Sequence, residues 1–294
     1  MTGATDADIG SPAGADASEQ RTAVFAPQKG SRDMTSYECL LVERPQPGIV
    51  LMTLHRPAQL NAVSEALFAE IEQACAEVEA NPDDRVLVVT GSGRAFCAGL
   101  DMDLAERLLA GAPDNLLATL DRWGTSLMSL RNLSKPVIAA VNGAAAGGGL
   151  AISLACDIRI ASTEAKFNVA FIKLGFTGGD MGVSYLLPRV VGLGHASELM
   201  LTGRFIDADE ASRIGLANRV VRPNELIDAA LECAAEIVRN DALGVSLTKH
   251  VLQRNLGASS LSAAMDLENR NQALMALSGS VANGLEEFKA RNAK

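Results

Sequence analysis

The chain has 294 residues, of which 48% are hydrophobic and 4% aromatic, and its formal net charge is −9. This length is enough for one large hydrophobic core and a small appended domain. The acidic balance and the scarcity of aromatic rings argue against a surface that binds nucleic acid, an anionic membrane or stacked bases.

The first 36 residues are predicted to be a disordered N-terminal extension, because they are small, polar or acidic and have no hydrophobic periodicity. They lack the basic start and apolar segment of a signal peptide, and no apolar run in the chain approaches the length of a membrane span. The five cysteines are odd in number and lack C-x-x-C spacing, which is typical of reduced, mostly buried thiols in a cytoplasmic protein. These cysteines are Cys39, Cys75, Cys97, Cys156 and Cys233.

Beyond residue 37, short apolar runs bounded by turn residues alternate with segments of helical periodicity. The predicted strands cover 38–43, 49–54, 86–90, 137–141, 158–161 and 217–221. The predicted helices cover 65–80, 113–130, 150–155, 197–201, 208–213, 225–238, 242–256 and 259–275. Ser64 is a candidate N-cap of the first helix, and Asn81-Pro82 ends it. This order predicts an α/β core at 37–222 and a C-terminal helical region at 223–294.

A glycine triplet at 147–149 stands between the predicted strand 137–141 and the helix that follows it. Unpaired backbone N–H groups at a helix N-terminus stabilise negative charge, and glycine lets a ligand approach them closely. The triplet lacks the G-x-G-x-x-G spacing of a dinucleotide site, and no Lys-Ser/Thr pair follows it as in a P-loop. The segment therefore predicts a site for an anion, or for an oxygen that becomes one.

A second glycine-containing turn, residues 90–101, follows the predicted strand 86–90. Taken alone it is compatible with an ordinary surface loop. Two such turns after two strands can direct two N–H groups at one carbonyl oxygen, an arrangement known as an oxyanion hole. The three histidines are scattered without metal-ligand spacing, so we do not expect a metal site.

Four segments together resemble the crotonase (enoyl-CoA hydratase/isomerase) superfamily. Residues 94–101, R-A-F-C-A-G-L-D, are similar to its A-F-x-A-G-x-D signature, and 135–157 resembles its second signature. Residues 55–62 resemble its N-R-P-x-x-x-N-A segment, and 201–216 resembles its L-T-G…A…G-L-V region. The resemblance extends from about residue 37 to the C-terminus.

This resemblance implies a crotonase-like spiral of ββα units with a C-terminal helical oligomerisation region, assembled as a homotrimer or a dimer of trimers. It implies an acyl-CoA thioester substrate, so coenzyme A enters as part of the substrate and no separate cofactor is expected. By position, the N–H groups of Leu100 and Gly148 are the expected oxyanion donors, and 103–123 is the expected acyl-chain pocket. The residues expected to line the substrate and CoA site are Ala58, Leu60, Ala62, Ala98, Asp101, Met102, Gly147, Phe171, Phe176 and Gly179.

The chain departs from the family at two positions where hydratases place the glutamates that activate water. Ala151 and Phe171 stand there, and neither side chain can accept a proton. Asp180, in a segment resembling the A-D-x-G-T segment of dienoyl-CoA isomerases, is the candidate catalytic acid/base. An alternative is that Asp180 caps a helix that starts near Met181.

The resulting hypothesis is an enzyme that stabilises a thioester enolate and catalyses fatty-acyl-CoA double-bond isomerisation or hydration, with Asp180-dependent proton movement favoured over two-glutamate hydration. Two alternatives stay open. One is a CoA-thioester hydrolase in which Asp180 is the base or nucleophile. The other is a catalytically weak acyl-CoA-binding homologue that keeps the fold without the glutamates.

Overall fold

The computed structural model describes residues 37–111 and 113–292, so the predicted N-terminal extension lies outside the described residues. Ten strands are present in these ranges: β1 Leu40–Gln46, β2 Ile49–Leu54, β3 Val86–Gly91, β4 Ala95–Cys97, β5 Val137–Val141, β6 Ala144–Ala146, β7 Ile158–Ser162, β8 Lys166–Asn168, β9 Ile206–Asp207 and β10 Arg219–Val221. The α-helices of the same ranges are α1 Glu65–Ala80, α2 Met102–Leu109, α3 Pro113–Asn132, α4 Gly148–Ala155, α5 Val183–Thr202, α6 Ala208–Arg213, α7 Leu226–Val238, α8 Ala242–Asn255, α9 Leu261–Leu277 and α10 Ser280–Asn292.

The larger sheet has six strands in the order β1-β2-β3-β5-β7-β10, and all its neighbours are parallel except the pair β1 and β2. Strand β3 is apolar at successive positions because both faces of the sheet are covered. Its Leu87 and Val89 enter the main core, whereas Val86 and Val88 pack with α7 in a second core. Alternating side chains of one strand therefore hold two layers of the fold together.

A smaller sheet has four strands in the order β4-β6-β8-β9. Strand β3 continues into β4, β5 into β6, and β7 into β8, and helices follow the first two pairs. This repetition is the predicted ββα spiral, with helices α7–α10 at the C-terminal end. It places the turns after β4 and β6 side by side, because β4 and β6 pair in parallel.

Several predicted elements are confirmed. Strands β2 and β5 and helix α6 have the predicted bounds, and the Ser64 hydroxyl accepts a hydrogen bond from the Leu67 N–H at 3.1 Å as the N-cap of α1. All five cysteines are free thiols, and four of them are buried.

Helix α5 contains the predicted helix 197–201, and it begins at Val183, two residues after the start near Met181 that the helix-cap alternative for Asp180 assumed. Pro188 lies inside α5, and Gly192 has non-helical angles (φ 79°, ψ 158°), so α5 consists of two helical segments joined at a kink. Helix α7 covers the second face of the larger sheet. Among the described helices, none is long and apolar enough to cross a membrane.

Candidate active site

Glycines pack the end of β4 against the start of α4, and the segment before β4 against the segment before β6. A Cβ atom on Gly149 would lie 2.0 Å from the carbonyl oxygen of Cys97, and one on Gly143 would lie 2.2 Å from that of Arg94. These distances are far below van der Waals contact, so a larger residue at either position would force the backbones apart. Gly149 thus serves the close approach of two turns, a role distinct from the ligand approach expected from the sequence.

Gly147 and Gly148 form the part of the triplet that faces a cavity. Gly147 is the N-cap of α4 with φ 49° and ψ −111°, a conformation that favours glycine, and Gly148 is the first helical residue. The N–H groups of Gly148 and Leu100 have no hydrogen-bond acceptor among the described residues. A Cβ on Gly99 would be 3.8 Å from the Gly148 nitrogen, so the two turns carry their unpaired donors to one place.

The cavity beside these turns has a volume of about 770 Å³. Its walls come from both turns, from α2 and α3, and from the segment before α5. Twelve of the residues predicted for the site line it: Leu60, Ala62, Ala98, Leu100, Asp101, Met102, Gly147, Gly148, Phe171, Phe176, Gly179 and Asp180. Ala58 is not among its lining residues and is exposed in the 3-10 turn Pro57–Gln59.

The predicted acyl-chain pocket at 103–123 forms the apolar wall of this cavity. The side chains that provide it are Ala105, Leu108, Leu109, Leu116, Leu120 and Trp123. Val63 and Met181, which were not predicted for the site, also line the cavity and lie next to Gly148. A Cβ on Gly148 would be 3.0 Å from Val63 Cγ2 and 3.5 Å from Met181 Sδ. No sequence signal identified either residue, because their positions depend on left-handed turns just before Val63 and at Met181 itself.

Asp101 lies at the cavity wall but its carboxylate is already engaged. It is the N-cap of α2, accepting hydrogen bonds from the N–H groups of Asp103 at 3.1 Å and Leu104 at 3.4 Å. Its other oxygen makes an ion pair with Arg56 at 3.1 Å, and Arg56 also donates to the Ala62 carbonyl at 2.6 Å. Asp101 therefore fixes the turn that carries Leu100.

Asp180 has few polar partners in the described structure. One carboxylate oxygen accepts a hydrogen bond from the adjacent Met181 N–H at 2.7 Å. Burial raises the pKa of Asp180, and the Met181 hydrogen bond lowers it by a smaller amount. A desolvated carboxyl of this kind, lining a cavity, is suited to exchanging a proton.

The alternative role of Asp180 as a helix cap is wrong. Helix α5 begins at Val183, its N-cap is Gly182, and no side chain caps it. Met181 and Gly182 have φ values of 47° and 76°, so two left-handed residues separate Asp180 from the helix. The Asp180 carboxylate reaches only the N–H of its neighbour.

The two residues that the sequence analysis expects at the family's glutamate positions occupy different environments. Ala151 is fully buried within α4 and does not line the cavity, whereas Phe171 lines it next to Gly147. A Cβ on Gly147 would be 3.4 Å from the Phe171 ring. Among the cavity-lining residues, the remaining carboxylate is that of Asp103, which is exposed on α2. In residues 37–111 and 113–292, no group of three or more His, Cys, Asp or Glu is placed to hold a metal ion.

The chain is similar in sequence and structure to known proteins of one family. A model of the enoyl-CoA hydratase/isomerase family matches residues 44–293. A probable enoyl-CoA hydratase of Mycobacterium bovis is 41% identical over 244 residues, covering 81% of this chain and 85% of that protein. A 1,2-epoxyphenylacetyl-CoA isomerase of Escherichia coli is 34% identical over 252 residues, covering 85% and 95%. The crystal structure of a putative enoyl-CoA hydratase from Streptomyces coelicolor has a TM-score of 0.83 and 36% identity, covering 91% of this chain and 97% of that one.

Proposed function

The chain belongs to the enoyl-CoA hydratase/isomerase family of the crotonase superfamily, and from this premise we propose that it isomerises a carbon–carbon double bond of a fatty-acyl-CoA thioester. The relatives carry both hydratase and isomerase names, so family membership leaves the reaction open. The observation that carries the choice is Asp180, a desolvated carboxyl on the cavity wall near Gly148.

The first part of the proposed mechanism is stabilisation of an enolate. The thioester oxygen accepts hydrogen bonds from the N–H groups of Leu100 and Gly148, which lack acceptors within the described residues. Negative charge that develops on this oxygen is further stabilised by the N-terminus of α4. Each donor of this kind contributes about 3–4 kcal/mol to stabilisation of the transition state.

The second part is proton transfer by Asp180. The carboxylate removes a proton from a carbon of the acyl chain, and the electron pair left behind delocalises onto the thioester oxygen. The carboxyl then returns the proton to a different carbon of the same conjugated system, and the double bond moves. One acid/base group is sufficient for this reaction, because nothing is added to the substrate.

Hydration requires acid and base groups in addition to the oxyanion donors. Water must be bound and deprotonated near the double bond, and a proton must be supplied to the other carbon. The side chains at the positions of the family's two glutamates, Ala151 and Phe171, can do neither. Phe171 and Phe176 line the same cavity, and burial raises the pKa of Asp180.

The proposal is tested with 2-enoyl- and 3-enoyl-CoA substrates in heavy water, with products analysed by mass spectrometry. We expect an isomer with the mass of the substrate, resolved from it by liquid chromatography. It should contain little deuterium, because Asp180 returns the proton that it removed. Asp180→Asn should lower kcat about 10²–10⁴-fold, the usual contribution of a general acid/base. Asp103→Asn is the matched control, because Asp103 lines the same cavity but is exposed.

Each other outcome identifies a different function. A product heavier by one water in the wild type contradicts isomerisation and supports hydration. Release of free CoA supports the hydrolase alternative. Binding without turnover of any thioester supports the catalytically weak homologue, and full activity of Asp180→Asn removes Asp180 from the mechanism.

We also propose self-association through the C-terminal helices, as a homotrimer or a dimer of trimers. Helix α9 buries none of its residues within the described chain, and its Leu261 and Leu277 are 77% and 85% exposed. Apolar side chains exposed along one helix are typical of an interface. Light scattering coupled to size-exclusion chromatography measures the mass directly, and a monomer contradicts the proposal.

A further inference from the structure

A second cavity, of about 860 Å³, adjoins the first. Leu120, Asp180 and Met181 line both cavities, so Asp180 lies where they meet. Helix α3 and the start of α5 provide apolar walls, including Leu127 and Leu186. An acyl chain whose reacting carbons lie beside Asp180 can therefore extend past it into the second cavity.

Three of the seven polar side chains that line the second cavity are basic. Arg131 from α3 lines it, together with His250 and Arg254 from α8. Neither guanidinium group makes an ion pair or a side-chain hydrogen bond within the described residues. Asp180 is the carboxylate that lines this cavity, and its hydrogen bond goes to its own neighbour rather than to either arginine. Two unpaired arginines in one cavity are notable in a chain with a net charge of −9.

The wall that carries these cations is fixed in place. On α8, the Lys249 ammonium is 7% exposed and makes an ion pair with Asp157 at 2.8 Å. The Gln253 side chain donates to the Arg131 carbonyl oxygen at 2.9 Å, which ties α8 to the end of α3. A recognition surface that is rigid before binding loses less entropy when it binds.

Building on the proposed function, we propose that the second cavity selects acyl chains whose far end carries a carboxylate. Guanidinium groups pair with carboxylates through parallel hydrogen bonds, and such charge-assisted bonds are stronger than neutral ones. Arg131 and Arg254 provide the recognition, and the apolar wall between Asp180 and these arginines contacts the methylene groups. The substrate class is therefore the mono-CoA thioester of an unsaturated dicarboxylic acid.

The test compares two probes of equal chain length, hexenoyl-CoA and the mono-CoA thioester of hexenedioic acid. Both kcat/KM and the Kd from titration calorimetry are measured, so that selectivity is observed even without turnover. We expect the wild type to prefer the dicarboxylic probe about tenfold or more. Arg131→Met and Arg254→Met should each move this ratio toward one.

Arg239→Met is the control for a general change in charge, since Arg239 is exposed at the end of α7 and lines neither cavity. It should keep the wild-type ratio. Arg254 is itself exposed, so its variant tests selectivity with little risk to folding. Equal or weaker affinity of the wild type for the dicarboxylic probe overturns the inference. If the wild type has no such preference but isomerises hexenoyl-CoA, the proposed function stands and the dicarboxylic inference fails. Selective binding of the dicarboxylic probe without turnover supports the inference and contradicts the proposed function.

Discussion

Substituting Gly149 by alanine tests whether the packing of the two turns positions the oxyanion donors. The added Cβ would lie 2.0 Å from the Cys97 carbonyl oxygen, with the Cys97 carbonyl carbon at 2.8 Å and its Cβ at 2.9 Å. Two of these three atoms belong to the backbone, so rotation of a side chain cannot relieve the contact. The turn that carries Leu100 must move away from the N-terminus of α4.

The size of the effect follows from the overlap. Restoring an ordinary carbon–oxygen contact of about 3.4 Å requires a displacement of roughly 1.4 Å, and a misplacement of about 1 Å at a reacting centre costs on the order of 10²-fold in rate. The forced overlap costs about 1–3 kcal/mol of folding free energy. Alanine regains up to about 1 kcal/mol of helix propensity over glycine, so the net change remains destabilising.

The assay is steady-state turnover of an enoyl-CoA thioester, with urea unfolding to measure the free energy of unfolding. We expect kcat to fall about 10²-fold or more in Gly149→Ala at a temperature where the variant is folded. Gly194→Ala is the matched control, because Gly194 is exposed and a Cβ there has no heavy atom within 4 Å. A folded Gly149→Ala enzyme with wild-type kcat would refute the reasoning that this glycine contact sets the donor geometry.

Two further predictions concern ionisable groups. Lys249→Met removes the ion pair of Asp157 in a mostly buried site and leaves its carboxylate with the Val137 N–H as hydrogen-bond donor, so we expect a loss of about 3 kcal/mol in the free energy of unfolding by urea titration. Lys289→Met, on the exposed face of α10, is the control, and a loss below about 1 kcal/mol in Lys249→Met contradicts the assigned role. Burial raises the pKa of Asp180 above its ordinary 3.8, so the folded state binds more protons than the unfolded state between the two values, and wild-type stability falls as pH rises through that window. The Tm of Asp180→Asn relative to the wild type should therefore increase as pH rises above the ordinary carboxyl pKa of 3.8, and a constant difference would argue against a desolvated carboxyl.

The larger sheet was predictable because its strands are buried apolar runs with turn residues at both ends. Strands β2 and β5 have the predicted bounds for this reason. Strands β4, β6 and β8 have three residues each, which is too short for any periodicity, so only the resemblance to a family indicated the second layer. The residues that line the cavity were largely predicted through that resemblance, while Val63 and Met181 were not.

The alternative that Asp180 caps a helix is wrong for a physical reason. An aspartate just before a helical pattern is typical of an N-cap, and the sequence has no sign that Met181 adopts φ 47°. Non-glycine residues rarely take this conformation, so local propensity argues for a helix that starts one or two residues earlier. The packing of Met181 beside Gly148 accompanies the left-handed turn and lies beyond the reach of sequence periodicity.

The glycine triplet and Asp180 lie in different surroundings. In the proposed mechanism the triplet stabilises the enolate, whereas Asp180 transfers the proton. Gly149 contacts backbone atoms of the other turn, so its geometry is independent of which side chains line the cavity. Asp180 is surrounded by side chains, with Phe171 and Phe176 on one cavity and Arg131 and Arg254 on the other. In the proposed mechanism the backbone of the two turns stabilises any thioester enolate, whereas the side chains around Asp180 determine which proton moves and which acyl chain is accepted. Substitutions near Asp180 should therefore change substrate and product, and substitutions at the turns should lower every rate together.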